Sequence, residues 1–399
     1  MNHVATRSAN RSRSLLLALF GLAVMALLAP AVGSAAVQKK EPKVSVMTRN
    51  LYLGADLGPA LEAKSICDAV DAGGTIINQV DLSNFPERSK LLAAEIARAK
   101  PSLVGLQEVA LWRDQTPSDY ATTPATHVRY DFLQLLQDQL KASGAKYKVV
   151  VSQDEFDQEL PADIDGKNNT GSGPFGTDPG PLQCGADIDG RLTMRDVILV
   201  KKGSNVKVSN PQMGHFTNLF QVKLAGILDI AVTRGWVSVD GKIKSTEKTR
   251  GAKFRFVNAH LEAFGDPAIR EAQAREMFAP GGPLVTKKQL IFVGDINSGG
   301  PKDRVGTGFT TPGDEGAYNA FTQDFGLKNM GTRQTCCYPD VFASAIGSYR
   351  FDHTVDHIFA KPKMSLIRSF VTGNDPTVTG AGGVVASDHG GLYAKLQFK

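Results

Sequence analysis

One α/β (α+β) domain of alternating strands and helices is what this sequence predicts, and three observations carry the prediction. Short apolar runs end abruptly in polar side chains. In Gln289-Leu-Ile-Phe-Val-Gly-Asp-Ile-Asn297, Gly294 breaks the run and Asp295 and Asn297 follow. Apolar stripes of helical period lie between such runs, over Phe85–Lys100 and Arg129–Ala142. No internal repeat is present, and 399 residues suffice for one large core. Because side chains two apart share one face of a strand, Asp295 and Asn297 should leave a buried strand on the same side.

The N-terminus stands apart from that core. Arg7, Arg11 and Arg13 precede an unbroken apolar run from Leu15 to Leu28, and small residues follow from Gly33 to Ala36. Basic region, apolar region and small-residue site are the layout of a secretory signal peptide. Residues 1–36 are therefore expected to be an export signal, 37–43 a short leader and 44–399 the folded domain. A retained membrane anchor is the alternative, but the run is short for a spanning helix of about 20 residues. The signal carries three of the 45 basic residues and no acid, which leaves 42 basic against 40 acidic and a net charge of +2. Charge thus gives no argument for a polyanionic partner.

Val44–Asn50 alternates as a strand. Residues 54–83 read as loop with some helix, Phe85–Lys100 as a helix stopped by Pro101, and Leu103–Glu108 as a strand. A helix over Arg129–Ala142 precedes a strand at Tyr147–Val151. The regions near 111–130 and 155–190 read as loop insertions. The latter contains Asp163-Ile-Asp165-Gly166 and Asp187-Ile-Asp189-Gly190. Neither run has the spaced acids and closing Glu of an EF-hand, so solvated turns are expected in place of calcium sites. Val197–Val200 is an apolar strand, residues 216–239 read as paired core strands, and Asp240-Gly241 begins a polar turn. Lys253–His260 returns as a strand, Pro267–Phe278 is a helix, 299–316 a loop and Ala317–Phe325 a short helix. Phe351–Phe359 leads into a further strand, and Leu392–Phe398 is the last one. Of the four cysteines, the adjacent Cys336 and Cys337 are expected to bond to the distant Cys67 and Cys184, since a vicinal bridge is strained.

Strand ends and adjacent turns then present Asn50, Glu108, His260, Asp295, Asn297, Asp356, Asp388 and His389. Each alone has a bland explanation in a solvated turn or a satisfied core. Together, hard carboxylates, carboxamides and two imidazoles are what phosphoryl chemistry with a divalent ion requires. Thr48-Arg-Asn50, Leu106-Gln-Glu-Val109, Asn258-Ala-His-Leu-Glu262, Gly294-Asp-Ile-Asn297, Val355-Asp-His-Ile-Phe359 and Ser387-Asp-His389 resemble, in order, the motifs of the endonuclease/exonuclease/phosphatase (DNase I-like) superfamily.

That resemblance implies a four-layer α/β sandwich, with two packed, mainly antiparallel sheets flanked by helices. It implies Mg2+, with Mn2+ or Ca2+ as alternatives, held by Glu108 with Asn50 and Asp388. It gives Asp295 the attacking water and Asn297 the water or a phosphate oxygen. His260 and His389 become two imidazoliums donating to the phosphate, with Asp356 orienting His389. Whether Asp295 or His389 is the base stays open. For the residue that supports the first histidine or the phosphate, the nearest candidates are Arg191, Arg195 and Asp196.

The expected protein is a secreted, monomeric, Mg2+-dependent phosphoric ester hydrolase without organic cofactor. A nuclease-like phosphodiesterase is expected first. A sphingomyelinase-like phospholipid phosphodiesterase would need an exposed aromatic hairpin tip, for which Phe216 to Phe220 is the candidate. A phosphomonoesterase acting on inositol phosphates would need a pocket lined by Lys and Arg. A catalytically silent binding protein on the same fold is the reading from another class.

Overall fold

The computed structural model describes residues 39–166, 184–226, 228–300 and 314–399. The expected export signal lies outside the described residues, as do parts of the 155–190 and 299–316 segments. In chain order the first strands are β1 (Lys43–Asn50), β2 (Leu103–Gln107), β3 (Leu111–Gln115), β4 (His127–Asp131), β5 (Tyr147–Ala162) and β6 (Ile188–Lys201). Then come β7 (Val206–His215), β8 (Phe220–Leu224), β9 (Leu228–Val232), β10 (Gly235–Ile243), β11 (Ala252–His260) and β12 (Gln289–Asp295). The last are β13 (Lys328–Asn329), β14 (Asp356–Ala360), β15 (Met364–Thr372) and β16 (Gly391–Phe398). The longer helices are α1 (Ile66–Leu82), α2 (Phe85–Ala99), α3 (Phe132–Ala142) and α4 (Pro267–Glu276).

Period-two alternation builds the layers. One sheet runs β15-β16-β1-β2-β6-β3-β4, with β5 also paired to β6; the other runs β13-β14-β12-β11-β10-β7. Val44 and Val46 of β1, Leu103 of β2 and Leu392 and Ala394 of β16 face Phe254 and Phe256 of β11, Ile291 and Val293 of β12 and Ile358 of β14. The opposite face of the first sheet, with Met47, Val104 and Leu106, packs on Phe85, Leu92 and Ile96 of α2 and Phe132 and Leu136 of α3. The opposite face of the second, with Val257, Leu290 and Phe292, packs on Ala274 of α4 and on Phe321. The result is the four-layer α/β sandwich. Pairing is antiparallel apart from β1 with β2 and β11 with β12.

Several local expectations are corrected. The 111–130 region is not a loop insertion: it forms β3 and β4, and Asp131 ends β4 and caps α3 through the N–H groups of Leu133 and Gln134. The helix therefore starts at Phe132, not Arg129. The 155–190 region is strand at both ends, since β5 continues to Ala162 against β6, which begins at Ile188. Its acids pair with backbone and cations along a half-exposed ladder, so they do not interrupt the strands. Residues 54–83 hold α1, whose start is a capping box between Ser65 and Asp68. Asp240 and Gly241 lie inside β10, where Asp240 is bonded to Arg255 and Lys288. The Asp163 and Asp187 carboxylates accept the N–H groups of Ile164, Asp165 and Gly166, but the expected solvated turns are corrected: Asp163, Asp187 and Asp189 are buried, and Asp189 and Gly190 lie in β6.

Cys67 bonds to Cys184, and Cys336 pairs with its neighbour Cys337, against the expected long-range pairing of all four. The physical reason is placement. Cys67 opens α1, whereas Cys336 and Cys337 lie on the segment beside the start of β16.

The sheets approach closely at Gly105 of β2. A Cβ there would stand 2.4 Å from Asn258 Oδ1 and 2.5 Å from Val293 Cγ2. Asn258 cannot step aside, because it also donates to the Leu106 carbonyl at 2.9 Å. Gly105→Ala is expected to destabilise the fold by about 1–3 kcal/mol, the usual cost of overpacking a core. A lowered melting temperature by circular dichroism checks this, and an unchanged one would contradict so close an approach.

Candidate active site

Register brings the functional side chains together. His260 pairs with Asp295 across β11 and β12, and Asp295 pairs with Asp356 across β12 and β14. All three extend the faces that bury Phe256, Val293 and Ile358 between the sheets. In the other sheet Asn50 pairs with Gln107, and Glu108 follows. Each strand thus spends its apolar face on the inter-sheet core and ends it in a polar group at the same rim.

The polar groups touch. Asn50 Nδ2 donates to Glu108 Oε1 and to Asp295 Oδ2, both at 3.1 Å. Leu53 N donates to Glu108 Oε2 at 2.7 Å, and Asn297 N to Asp295 Oδ1 at 3.0 Å. His389 Nδ1 donates to Asp356 Oδ2 at 2.9 Å and lies 3.7 Å from Asp295 Oδ2. His260 Nε2 is 3.7 Å from Asp295 Oδ2 and 4.0 Å from Glu108 Oε1. Glu108, His260, Asp295, Asn297, Asp388 and His389 line one pocket of about 300 Å³, with Tyr52, Arg234, Tyr338 and Tyr349. Asn50 and Asp356 stand immediately behind it. All eight residues expected from the sequence therefore meet at one place.

Two buried arginines hold the loops that carry them. Arg49 Nη1 donates to the His389 carbonyl at 2.5 Å. Arg88 donates to the carbonyls of Leu51, Tyr52 and Ala386. The backbone stores strain at the same rim: Tyr52, Glu108 and Asn297 have φ of 58°, 52° and 48°. Left-handed conformations of residues other than glycine cost energy and gather where a side chain must be aimed.

Electrostatics separate the two histidines. Burial alone would depress the His389 pKa, but Asp356, Asp388 and Asp295 outweigh it and hold the imidazole well above its ordinary value. His389 is thus an imidazolium at neutral pH. His260 goes the other way: burial, then the Arg234 guanidinium, push it down to about 3. Arg234 Nη1 donates to His260 Nδ1 at 3.2 Å. This corrects the expectation of two imidazoliums. The second positive charge belongs to Arg234, with His260 as its neutral partner. Arg234 is a supporting residue that the three sequence candidates did not include, although Asp196 among them accepts the backbone N–H of His260. Arg191 pairs with Asp157, Arg195 clamps the Val109 and Ala110 carbonyls, and Asp196 is buried near Arg234. Arg234 follows β9 in no motif, so only the pairing of β10 with β11 reveals it.

Glu108 and Asp388 are the residues suited to a hard cation. Burial first, then the Asp388 charge, raise the Glu108 pKa, and burial raises that of Asp388. With the charge of Asp388 opposing ionisation of Glu108 at one pocket wall, the two carboxylates are oxygen donors that a divalent ion would neutralise. Asn50 turns its amide nitrogen to Glu108 and its carbonyl to Tyr52 N, at 2.9 Å, so it braces Glu108 here.

Behind Arg234, Glu155 is buried, with His215 Nε2 3.5 Å from one carboxylate oxygen and Gln153 beside it. Burial, then Asp196, hold its carboxyl far above the usual range. A carboxyl raised in the folded state contributes stability below its unfolded pKa and loses it as pH rises through the folded value. The melting temperature should therefore fall as pH rises from the carboxylate range through neutrality, and Glu155→Gln should flatten that fall. Parallel melting curves of the two proteins from pH 5 to pH 9 would contradict it.

Together these features give the chain the fold of endonuclease/exonuclease/phosphatase proteins. An endonuclease/exonuclease/phosphatase family protein from Bacteroides thetaiotaomicron matches with a TM-score of 0.50 at 16% identity, over 90% of this chain and 99% of that one. A protein described as an endonuclease/exonuclease/phosphatase from Bacteroides vulgatus matches at 0.49 and 16% identity, over 90% of this chain and 100% of that one. A mannosyl-6-phosphatase from Bacteroides thetaiotaomicron VPI-5482 matches at 0.48 and 15% identity, over 89% of this chain and 100% of that one. The first of these carries the assignment, which concerns the fold and not the substrate. No family model and no curated protein matches the chain.

Proposed function

We propose that the protein is a divalent-metal-dependent phosphoester hydrolase whose substrate is a phosphodiester. The observation that carries this is the register row His260–Asp295–Asp356, which meets Asn50 and Glu108 from the facing sheet at one pocket. Glu108 and Asp388 would hold the ion, with Mg2+ first among hard cations; bound there, it would neutralise charge at a phosphoryl oxygen.

The chain's own residues perform the rest. Asp295, fixed by the Asn50 amide and the Asn297 N–H, accepts the proton of the attacking water. His389, charged and held by Asp356, cannot accept a proton at neutral pH, so it donates to the phosphoryl group or to the leaving oxygen. Arg234 and Asn297 present further donors as negative charge grows on the nonbridging oxygens.

The lining also favours one phosphate over several. Arg234 is the only Lys or Arg among the described lining residues, whereas Asp56, Glu108, Asp295, Asp340 and Asp388 are acidic. A polyphosphorylated inositol would meet repulsion there. Tyr52, Phe264, Tyr338 and Tyr349 supply flat faces for the groups flanking a single phosphodiester, and aromatic faces stack on bases. The phospholipid reading loses its aromatic tip, because Phe216 is buried and Phe220 packs toward Phe264 and Gly265. The basic, apolar and small-residue order of the N-terminus supports export, which N-terminal sequencing of protein from the medium would test.

Purified protein is to be incubated with bis-p-nitrophenyl phosphate, p-nitrophenyl phosphate, plasmid DNA and sphingomyelin, in Mg2+ or in EDTA. Hydrolysis of a diester in Mg2+ only is the expected result. Metal-independent hydrolysis, or none of any substrate, would overturn the proposal and leave a silent binding protein.

A further inference from the structure

Cys336 and Cys337 have no role in the proposed hydrolysis, yet the segment Thr335–Tyr338 that carries them is fastened to the site. Gly390 N donates to the Thr335 carbonyl at 2.6 Å, and Tyr338 N to the Asp388 carbonyl at 2.8 Å. These two backbone bonds bracket Cys336 and Cys337 on one side and His389 on the other. His389 divides its ring nitrogens accordingly. Nδ1 goes to Asp356 at 2.9 Å, and Nε2 faces Cys336 Sγ at 3.6 Å and Cys337 Sγ at 3.9 Å. The two sulfurs and a ring nitrogen all lie within 4.8 Å of one another, and Cys336 and His389 are buried.

This is a donor set of a different kind from Glu108 and Asp388. Thiolates and imidazole select soft and borderline ions, whereas carboxylates select hard ones. Tetrahedral zinc with Zn–S of about 2.3 Å and Zn–N of about 2.0 Å places sulfur and nitrogen ligands about 3.5 Å apart. The observed nitrogen-to-sulfur separations are close to that, and the two sulfurs would part on reduction. A carboxylate on the far nitrogen is also the usual support of a metal-bound histidine, because it fixes the ring and raises its basicity.

We propose that Cys336, Cys337 and His389 form a site for one thiophilic divalent cation of the zinc class when the cysteine pair is reduced. The pair is bonded to itself in the structure, so the site is gated by redox state. A dithiol reductant gives two electrons and two protons to the Cys336–Cys337 bond and becomes a disulfide itself. The two thiols so formed and the His389 imidazolium release three protons to solvent as the cation binds both sulfurs and the freed His389 Nε2. Occupancy takes from His389 the nitrogen that hydrolysis would use, so the same step would silence the enzyme. The metal site itself stands on these three residues and not on the proposed function.

The test uses the full chain carrying Cys67→Ser and Cys184→Ser, so that the only thiols are the pair. The protein is reduced, freed of reductant without air and titrated with Cd2+. The expected result is the ultraviolet charge-transfer absorption of cadmium bound to thiolate, saturating at one ion per chain. That band should be absent from the oxidised protein and from Cys336→Ser/Cys337→Ser. His389→Ala should bind at least tenfold more weakly. A reduced protein without a saturating band, or a His389→Ala protein that binds like its parent, would overturn the proposal. Should the doubly substituted background fail to fold, the titration is read as the difference between the reduced native chain and reduced Cys336→Ser/Cys337→Ser. Equal spectra there would overturn it equally. Because the readout is absorbance, its failure is distinguishable from failure of the hydrolase reading.

Discussion

Glu108→Gln is expected to lower kcat/KM for diester hydrolysis by at least about 10³-fold, on the order of 4 kcal/mol of transition-state stabilisation. The fold should survive. Glutamine inherits the left-handed backbone of Glu108 at no new steric cost, and its carbonyl can still accept the Leu53 N–H. Stability without metal should even rise slightly. The wild-type carboxyl has a raised pKa, first through burial and then through Asp388, so its charge opposes folding at neutral pH. What should disappear is the response to the ion. Wild-type protein should melt at a higher temperature in Mg2+ than in EDTA, because an ion that binds only the folded state stabilises it. Glu108→Gln should show almost no difference. Full activity in this variant, or an undiminished thermal response to Mg2+, would remove Glu108 from the metal position.

What could be read from the sequence was the part written in period two. A strand that is apolar on one face must end that face somewhere. Where Val293, Phe256 and Ile358 give way to Asp295, His260 and Asp356, the change of polarity marks both the strand end and the rim of the core. For that reason the eight candidate residues could be named from strand-end chemistry and the order of motifs. The missed features depend on pairing between distant segments. Nothing near Arg234 marks it, and it becomes a partner of His260 only through the register of β10 with β11. The 111–130 and 155–190 segments read as loops because their Asp, Gly and Pro content hides strands whose partners are equally polar. Asp157 with Arg191 and Asp114 with Arg129 are such pairs. The cysteine pairing likewise follows from where the Thr335–Tyr338 segment is pinned, which spacing does not disclose.

The opposite behaviour of the two histidines makes Asp356 the residue whose removal should be most informative. Asp356→Asn keeps the shape and can still accept the His389 Nδ1 proton through its amide oxygen, but it removes a charge 2.9 Å from that ring. Burial of His389 then meets weaker opposition, from Asp388 and Asp295 alone. The imidazole pKa should fall, because the largest opposing charge is gone. In the wild type, activity should persist through neutral pH and decline on the alkaline side as His389 loses its proton above the ordinary imidazole range. In Asp356→Asn that limb should move to lower pH, and kcat at neutral pH should drop by on the order of 10²–10⁴-fold, as when a catalytic histidine loses its orienting carboxylate. Lowering the pH should restore part of the loss, which a merely misfolded variant would not show. The pH profile also decides which group is the base. If His389 abstracted the proton, lowering its pKa would extend activity toward acid and leave the alkaline side untouched. An acidic extension of that kind in Asp356→Asn would transfer the role of base from Asp295 to His389.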